Sequence, residues 1–444
     1  MTPIRRRSQW HQPAKVATAM ANHWGEAGMI WLDGDGSKLG HWATLAADPI
    51  SHFCCRGLPG QKNAVNPFAV LSTLNHGHWC GWLSYEAAAW VEPGNPWKTD
   101  SMATLWMVQH DPILRFNLHS KELWIEGEDA AKVEIMETWL QSLPDQQNVA
   151  SLIKNQIANK AQLSLPINNW QWQTNKADFK KGVQHIRELI AKGDLFQANL
   201  SVCCQSTTEA NSALEIFQKL RQHCPAPFAG LLIGTGDAYG EAVISSSPER
   251  FLQVKASGEI ETRPIKGTRP RSSNPETDAD IAADLICSVK DRAENVMIVD
   301  LLRNDLGRIC EPGSIDVSQL VGLESYAQVH HLTSVIKGKL QANANWVDLL
   351  KACWPGGSIS GAPKLRACQR LHELEPIARG PYCGSILHLD WDGHLDSNIL
   401  IRSLLLKDGT LRANAGCGIV IDSDPDTEAE ELNWKLMPLL EALR

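Results

Sequence analysis

The sequence predicts an α+β fold: a sandwich of two large, mainly antiparallel sheets with helices packed outside. Three observations carry that expectation. Short apolar runs with strand character recur along the chain, at 28–33, 79–85, 123–125, 195–202, Phe228–Ile233 and 242–246. Helical patterns alternate with them, as at 174–193, where Phe179, Val183, Ile186 and Ile190 share a face and Gly193 ends the run. Hairpin-like pairs, such as 242–254 with 259–265, point to antiparallel neighbours rather than parallel crossovers.

The chain has 444 residues, room for one large or two ordinary domains. Residues 1–145 read as a β-rich region, a polar linker covers 146–174, and 175–444 forms the region that carries chemistry. Hydrophobic residues make up 43% and charged residues 21%, the balance of a globular protein. A net charge of −8 argues against a general nucleic-acid or anionic-membrane binder, because both need basic stripes. The basic start, Arg5-Arg6-Arg7, is followed by polar residues rather than an apolar leader core, and no apolar run approaches the ~18 residues of a membrane span. The chain therefore reads as cytoplasmic. Its 12 cysteines are scattered without a C-x-x-C pair, which fits buried thiols better than a disulfide framework. His76-Gly77-His78-Trp79-Cys80 is a weak zinc signal, since no second ligand pair accompanies it. The 17 tryptophans, Trp82, Trp90 and Trp97 among them, are read mainly as core and inter-sheet packing.

One short stretch stands out chemically. Lys266 lies between Pro264, with its fixed φ, and Gly267, which permits close approach, in what reads as a turn after a strand at 259–262. An amine in such a place becomes a nucleophile when its surroundings favour the neutral form; otherwise it is an ordinary turn lysine. Carboxylates form a second group. The run 278–303 lacks proline and glycine and reads as one helix, with Asp291 and Glu294 three apart on a face. A further helix starts at Asp424-Pro425 and places Glu428, Glu431 and Lys435 opposite Ala429, Leu432, Leu436 and Leu439. Two acidic helix faces can meet around a hard cation such as magnesium, although each face alone also suits plain solvation. Arg402, on a strand expected over 398–402, offers a fork for a carboxylate near the small-residue run Gly416-Cys417-Gly418. The run Gly356-Gly357-Ser358-Ile359-Ser360-Gly361-Ala362-Pro363-Lys364 is not a phosphate loop, because Ala-Pro-Lys follows Gly361.

These segments, together with Ser246-Ser247-Pro248-Glu249-Arg250-Phe251 and Val329-His330-His331-Leu332-Thr333-Ser334, resemble the chorismate-utilising enzymes. More narrowly, they are similar to the aminodeoxychorismate synthase component I family, densely from about residue 175 to 440. The P-I-K-G-T lysine is the distinguishing letter, since anthranilate synthase component I usually carries alanine there. The resemblance implies the two-sheet fold and a Mg²⁺ held by Glu294 and Glu431, with Asp291 and Glu428 farther out. It implies Lys266, Glu249 and His331 as catalytic residues. Arg402, Tyr382, Gly416, Gly418, Lys435, Gln197 and Ser360 would bind substrate.

The implied reaction converts chorismate and ammonia to 4-amino-4-deoxychorismate through a lysine adduct, for p-aminobenzoate and folate synthesis. No glutaminase elbow of the G-x-C-x-G kind is present, so ammonia would come from a separate glutamine amidotransferase or from solution. Anthranilate synthase component I is the nearest alternative. Isochorismate and salicylate synthases are opposed by Gln197, where such relatives carry a lysine, and an inactive amino-acid-sensing homologue is the alternative of another class. Gly81-Trp82-Leu83-Ser84-Tyr85-Glu86 is similar to an N-terminal family segment near which relatives bind tryptophan. Trp31-Leu32-Asp33 departs from the leucine-leucine-glutamate-serine type motif of feedback-regulated relatives. Cys417 departs from the alanine or glycine usual between its two glycines.

Overall fold

The computed structural model describes residues 2–144, 170–208, 212–326 and 329–443. The linker expected at 146–174 lies outside the described residues except for 170–174. Two large antiparallel sheets dominate, with helices on their outer faces, as the sequence predicts. In the first sheet the strand order is Ile4–Ser8, Glu122–Gly127, Ile113–Asn117, Trp42–Ala46, Ile30–Asp33, Phe228–Ile233, Glu241–Ser247, Ser403–Lys407, Thr410–Ile419, Gln197–Thr207 and Gly361–Ala362. The second sheet runs Ile265–Pro270, Val329–Lys339, Glu259–Thr262, Arg250–Val254, Leu395–Asn398, Ser385–Leu389, His78–Leu83, Leu105–His110 and Ser51–Cys55. N-terminal strands thus join both sheets: Ile30–Asp33 pairs with Phe228–Ile233, and His78–Leu83 pairs with Ser385–Leu389.

Each sheet buries its helix-facing side. Phe179, Val183, Ile186 and Leu189 of helix Lys176–Ala191 pack into one core with Ala429, Leu432, Leu436 and Leu439 of helix Pro425–Glu441. Asn175 and Asp424 cap these helices by accepting from free backbone N–H groups, as N-cap chemistry requires. The tryptophans behave as packing: Trp82 and Trp106 are fully buried and stacked, with centroids 4.8 Å apart. The weak zinc signal dissolves, because His78 is buried and shares a 3.0 Å Nε2–Nε2 hydrogen bond with His388.

Four local expectations are corrected. The run 278–303 is two helices, Pro275–Cys287 and Val289–Gly307, broken at Ser288, which is extended (φ −62°, ψ 108°) and caps the second by accepting from the Asp291 N–H. Serine competes for backbone donors, so it starts a helix here without proline or glycine. The pair 242–254 is not one strand: Glu241–Ser247 belongs to the first sheet and Arg250–Val254 to the second, and the hairpin is formed by the latter with Glu259–Thr262. Lys266 is not on a turn but on the edge strand Ile265–Pro270, whose register shifts between Lys266 and Thr268 as Gly267 takes φ +79°. Arg402 is not on a strand. It sits just before Ser403–Lys407 with φ +51°, where the chain crosses from the second sheet to the first.

Candidate active site

The site forms where one end of each sheet meets two helices. From the second sheet comes the bulged edge strand with Lys266. From the first come Gln197, Gly416 and Gly418 on the adjacent strands Gln197–Thr207 and Thr410–Ile419. The run 354–364 closes the gap, since Gly361–Ala362 pairs with the start of the Gln197 strand. Lys364 is a buried anchor for that run, bonding Asp305 and the Cys353 carbonyl.

Lys266 is the hub. Its ammonium nitrogen lies 3.4 Å from the Ser358 carbonyl oxygen, and Gly418 is close enough that a Cβ there would stand 3.4 Å from Nζ. Its charge reaches the carboxylates of Glu249, Glu294 and Glu431, which come from three different elements. Gly267 must be glycine: besides its positive φ, a Cβ would come within 3.0 Å of Asp291 and of Leu285. That close approach seats the Val289–Gly307 helix against the bulge. Asn295 then fixes its rotation, donating to the Leu332 carbonyl at 3.2 Å and accepting from Ser334, so Glu294 stays half-buried beside Lys266.

Glu249 sits at the crossover between sheets, buried at 5% exposure. Burial pushes its carboxyl up to about 7, against the pull of a Ser358 hydrogen bond, Lys266 and the Ile265 backbone. It is therefore able to hold a proton near neutrality. Burial also raises Glu294, only partly offset by Lys266 and Lys290. Burial acts on Glu431 in the same direction, yet Lys435, Lys290 and Lys266 bring it below the ordinary carboxylate value; the Lys435–Glu431 contact is 2.7 Å. His331 is lowered to about 3 by burial and by Arg402, which makes it neutral at pH 7, and it shares a 2.8 Å hydrogen bond with Thr268. The Arg402 guanidinium, itself pulled down by burial, forms no ion pair among the described residues. That is the condition of a cation held for an anionic ligand.

Tyr382 is buried, and its hydroxyl is raised by burial; a Cβ on Gly416 would stand 3.2 Å from it. Gln197 is buried under Gly418, where a Cβ would meet its Nε2 at 2.2 Å, and its Oε1 has no hydrogen-bond partner among the described residues. Ser360 is buried and turned inward on its own run, donating to Gly356. Lys435 donates to the Gly416 carbonyl at 3.0 Å.

Of the four carboxylates expected around a cation, three are already tied to cations of the protein, Glu431 to Lys435 as above. Asp291 is 3.1 Å from Arg269, and Glu428, fully buried rather than facing solvent, is 3.0 Å from Lys290 and bonded by Ser423 at 2.7 Å. Glu294, without an ion pair among the described residues, lies close enough to Glu431 to interact by charge. Such an all-oxygen, half-open donor set suits magnesium, which keeps several waters.

Residues 11–441 match the chorismate binding enzyme family. The chain belongs to that family. An anthranilate synthase component I-like protein of Synechocystis is 37% identical over 372 residues, covering 83% of this chain and 73% of the relative. Aminodeoxychorismate synthase component 1 of Salmonella typhimurium is 41% identical over 274 residues, but the match covers only 62% of this chain and 59% of the relative. The same-named protein of Bacillus subtilis is 34% identical, covering 82% and 76%. Among solved structures, anthranilate synthase component I from Streptococcus pneumoniae superposes with a TM-score of 0.70 at 28% identity, covering 91% of this chain and 93% of that one.

Within this chorismate-binding enzyme, three contributors escape a reading of sequence alone. Ser358 touches both Lys266 and Glu249, Lys290 holds Glu428, and Arg379 ties the 354–364 run in place. Lys290 was signalled by its place four residues before Glu294, and Ser358 by lying in the Gly-rich run; Arg379 gave no local signal. The Trp31-Leu32-Asp33 segment is engaged internally, Asp33 with Arg221 at 2.6 Å and Trp31 edge-on to Phe217. Next to it a cavity of about 790 Å³ opens between the sheets, lined by Asp33, Arg115, Arg250 and His388 among others.

Proposed function

We propose that the chain is component I of an aminodeoxychorismate synthase, converting chorismate and ammonia to 4-amino-4-deoxychorismate. The observation that carries the proposal is the convergence of Lys266, Glu249, Glu294 and Glu431 from four elements on one small volume, with Arg402, in no ion pair among the described residues, nearby. Chorismate is a dianion with a ring hydroxyl that leaves poorly. Arg402 supplies a fork for one carboxylate. Glu294 and Glu431 would hold Mg²⁺, which supplies charge for the other carboxylate when bound.

Glu249, protonated, donates to the departing hydroxyl, which leaves as water while neutral Lys266 forms a C–N bond to the allylic system. Ammonia then forms its own C–N bond at the carbon that lost the hydroxyl. The bond to Lys266 breaks with its electron pair returning to nitrogen, and the surplus ammonium proton passes to the Glu249 carboxylate. Gln197 Oε1, buried and without a partner among the described residues, is available to accept from the incoming ammonia. His331, neutral, and Tyr382 shape the ring's surroundings. A separate glutamine amidotransferase is the expected ammonia source, and p-aminobenzoate and folate synthesis the expected setting.

A second reading is favoured by one finding: anthranilate synthase component 1 of Synechocystis is 35% identical over 92% of this chain. Lys266 in place of the alanine of that type opposes it. Product analysis decides between them. Chorismate, magnesium and an ammonium salt should yield aminodeoxychorismate; anthranilate would establish the second reading. Chorismate without ammonia should leave a mass adduct on the Lys266 peptide, absent in Lys266→Ala. Full amination by Lys266→Ala would return this lysine to an ordinary strand residue.

A further inference from the structure

The run 354–364 is wedged between the elements that carry the proposed catalytic groups. Its Ser358 carbonyl accepts from Lys266 at 3.4 Å. A Cβ on Gly356 would stand 2.9 Å from Ile399, whose N–H donates to the Glu249 carbonyl. A Cβ on Gly357 would stand 2.8 Å from Leu301, on the helix of Glu294. Toward the first sheet the run is held by backbone bonds. The Phe196 N–H donates to the Ala362 carbonyl at 2.7 Å, and the Asn199 N–H to the Ser360 carbonyl at 2.8 Å. Toward the helix it is held by charge. Lys364 and Asp305 form a buried ion pair, and Lys364 also donates at 3.0 Å to the carbonyl of Cys353, the residue just before the run. Arg308 lies 3.2 Å from the same Asp305 and donates to the Ala352 carbonyl.

We propose that Lys364 and Asp305 are positioning residues: their pair closes the run on itself, ties it to the helix of Glu294, and so holds the Ser358 carbonyl against the Lys266 amine. This rests on the reading of Lys266 as the nucleophile. A neutral amine that gives one N–H to a fixed carbonyl has fewer directions open to its lone pair, and orientation of that kind lowers the barrier to attack. Stability alone does not call for the charges. Two well-packed apolar side chains of similar volume often serve as well as a buried ion pair. What the charges add is direction. Asp305 takes Lys364 on Oδ2 and Arg308 on Oδ1, and each cation uses a further bond on a backbone carbonyl. An apolar pair would fill the space and fix neither.

The place of the pair on its helix says which step it serves. Asp305 lies about three turns beyond Glu294, and the Glu294 end is pinned separately by the bond from Asn295 to the Leu332 carbonyl. Loss of the pair therefore disturbs the run and leaves the expected magnesium ligands in place. Arg402 and Tyr382 lie on other segments, so substrate binding is spared as well. The effect belongs to kcat.

The experiment uses the full-length chain carrying Lys364→Met and Asp305→Leu together, so that neither charge is left buried alone; half-exposed Arg308 can turn to solvent. Circular dichroism checks the fold. In the folded variant kcat should fall about 10²-fold. KM for chorismate and the magnesium concentration for half activity should stay within about twofold. A second readout needs no turnover. Trace acetic anhydride should acetylate Lys266, followed by mass on its peptide, several-fold faster in the variant, with exposed Lys15 and Lys121 unchanged. Should the double variant fail to fold, Asp305→Asn keeps the shape and one acceptor and carries the same test, with kcat down about tenfold. Unchanged kcat in a folded variant, a loss carried by KM instead, or unchanged labelling of Lys266 would overturn the proposal. A product other than aminodeoxychorismate from the unaltered chain would sink the earlier reading instead; the rates are then read on that product, and the labelling result stands.

Discussion

The backbone N–H of Ser246 donates to the carbonyl oxygen of Arg402 at 3.0 Å. These are two of the places where the chain passes between sheets, outward after Glu241–Ser247 and back before Ser403–Lys407. The crossing strands pair on both sides, Ser245 with Ser403 in the first sheet and Arg250 with Asn398 in the second. Glu249 and Arg402 are thus delivered to one region by paired crossovers, with the Ile399 N–H donating to the Glu249 carbonyl at 3.0 Å. A proton donor and an anion fork on such braced backbone need little reorganisation when substrate arrives.

Removing either carboxylate of the expected magnesium pair should abolish turnover without unfolding the chain. Glu294 and Glu431 are half-buried on helix faces that pack through other residues, so glutamine fits each place. An amide carries no charge for a hard cation. Calorimetric titration with magnesium, in the presence of chorismate, should show binding in the unaltered chain and little in Glu294→Gln or Glu431→Gln. Unchanged magnesium dependence in both would remove the metal assignment.

Arg379→Met should destabilise the chain by about 3–5 kcal/mol. The guanidinium is buried, bonds Glu375 twice, and donates to the Ile359 and Asn199 carbonyls while lying over Tyr85. Without it Glu375 keeps its bonds from Ser201 but loses its counter-charge. Urea unfolding measures the loss. Arg379→Met with Glu375→Leu should recover part of it, since no charge is then left buried and alone.

Gly418→Ala and Gly361→Ala should behave differently although both crowd Gln197. At Gly418 the added Cβ meets the tip of the Gln197 side chain at 2.2 Å, which can swing away, so stability should change little while catalysis falls. At Gly361 it meets the Gln197 backbone oxygen at 2.3 Å with φ +148°, so the fold itself should lose more than about 1 kcal/mol. Melting curves beside steady-state rates separate the two. Equal destabilisation would mean that Gln197 cannot move.

Much of this site was legible in the sequence because its motifs are local. Asp424 with Pro425 marks a helix start by cap chemistry alone, and the i, i+3, i+7 spacing then puts Glu428, Glu431 and Lys435 on one face. What escaped was set by tertiary pairing. Arg402 has apolar neighbours that suit a strand, and only the passage between sheets forces its positive φ. The Gly267 bulge follows from the register of its partner strand, which no local pattern encodes. Ser288 interrupts an otherwise continuous helical run by turning extended and capping the second helix, which no proline or glycine announces. Glu428 looked like solvated surface until Lys290 and Ser423, far apart in sequence, closed over it.

Glu249 offers a prediction with two independent readouts. Its carboxyl titrates near 7 in the folded chain, raised chiefly by burial from an ordinary value of 4.5. A raised acid costs stability wherever the unfolded chain would be ionised. Below about pH 4.5 both states are protonated and there is no cost; the cost grows between 4.5 and 7 and is complete above. At 1.36 kcal/mol per unit this amounts to roughly 3 kcal/mol. Glu249→Gln should therefore be the more stable protein at about pH 8, with the advantage gone near pH 4. Catalysis should move oppositely. The glutamine variant lacks the proton for the leaving hydroxyl and should be slower by about 10²–10⁴-fold. At constant free ammonia, the ratio of the unaltered chain's rate to that of the glutamine variant should fall as pH rises through 7, because the acid is lost while the nucleophile's own titration cancels. Holding free ammonia constant matters, since ammonium deprotonation pushes the raw rate the other way. A flat profile with a stabilised glutamine variant would keep the burial argument but take the acid role from Glu249.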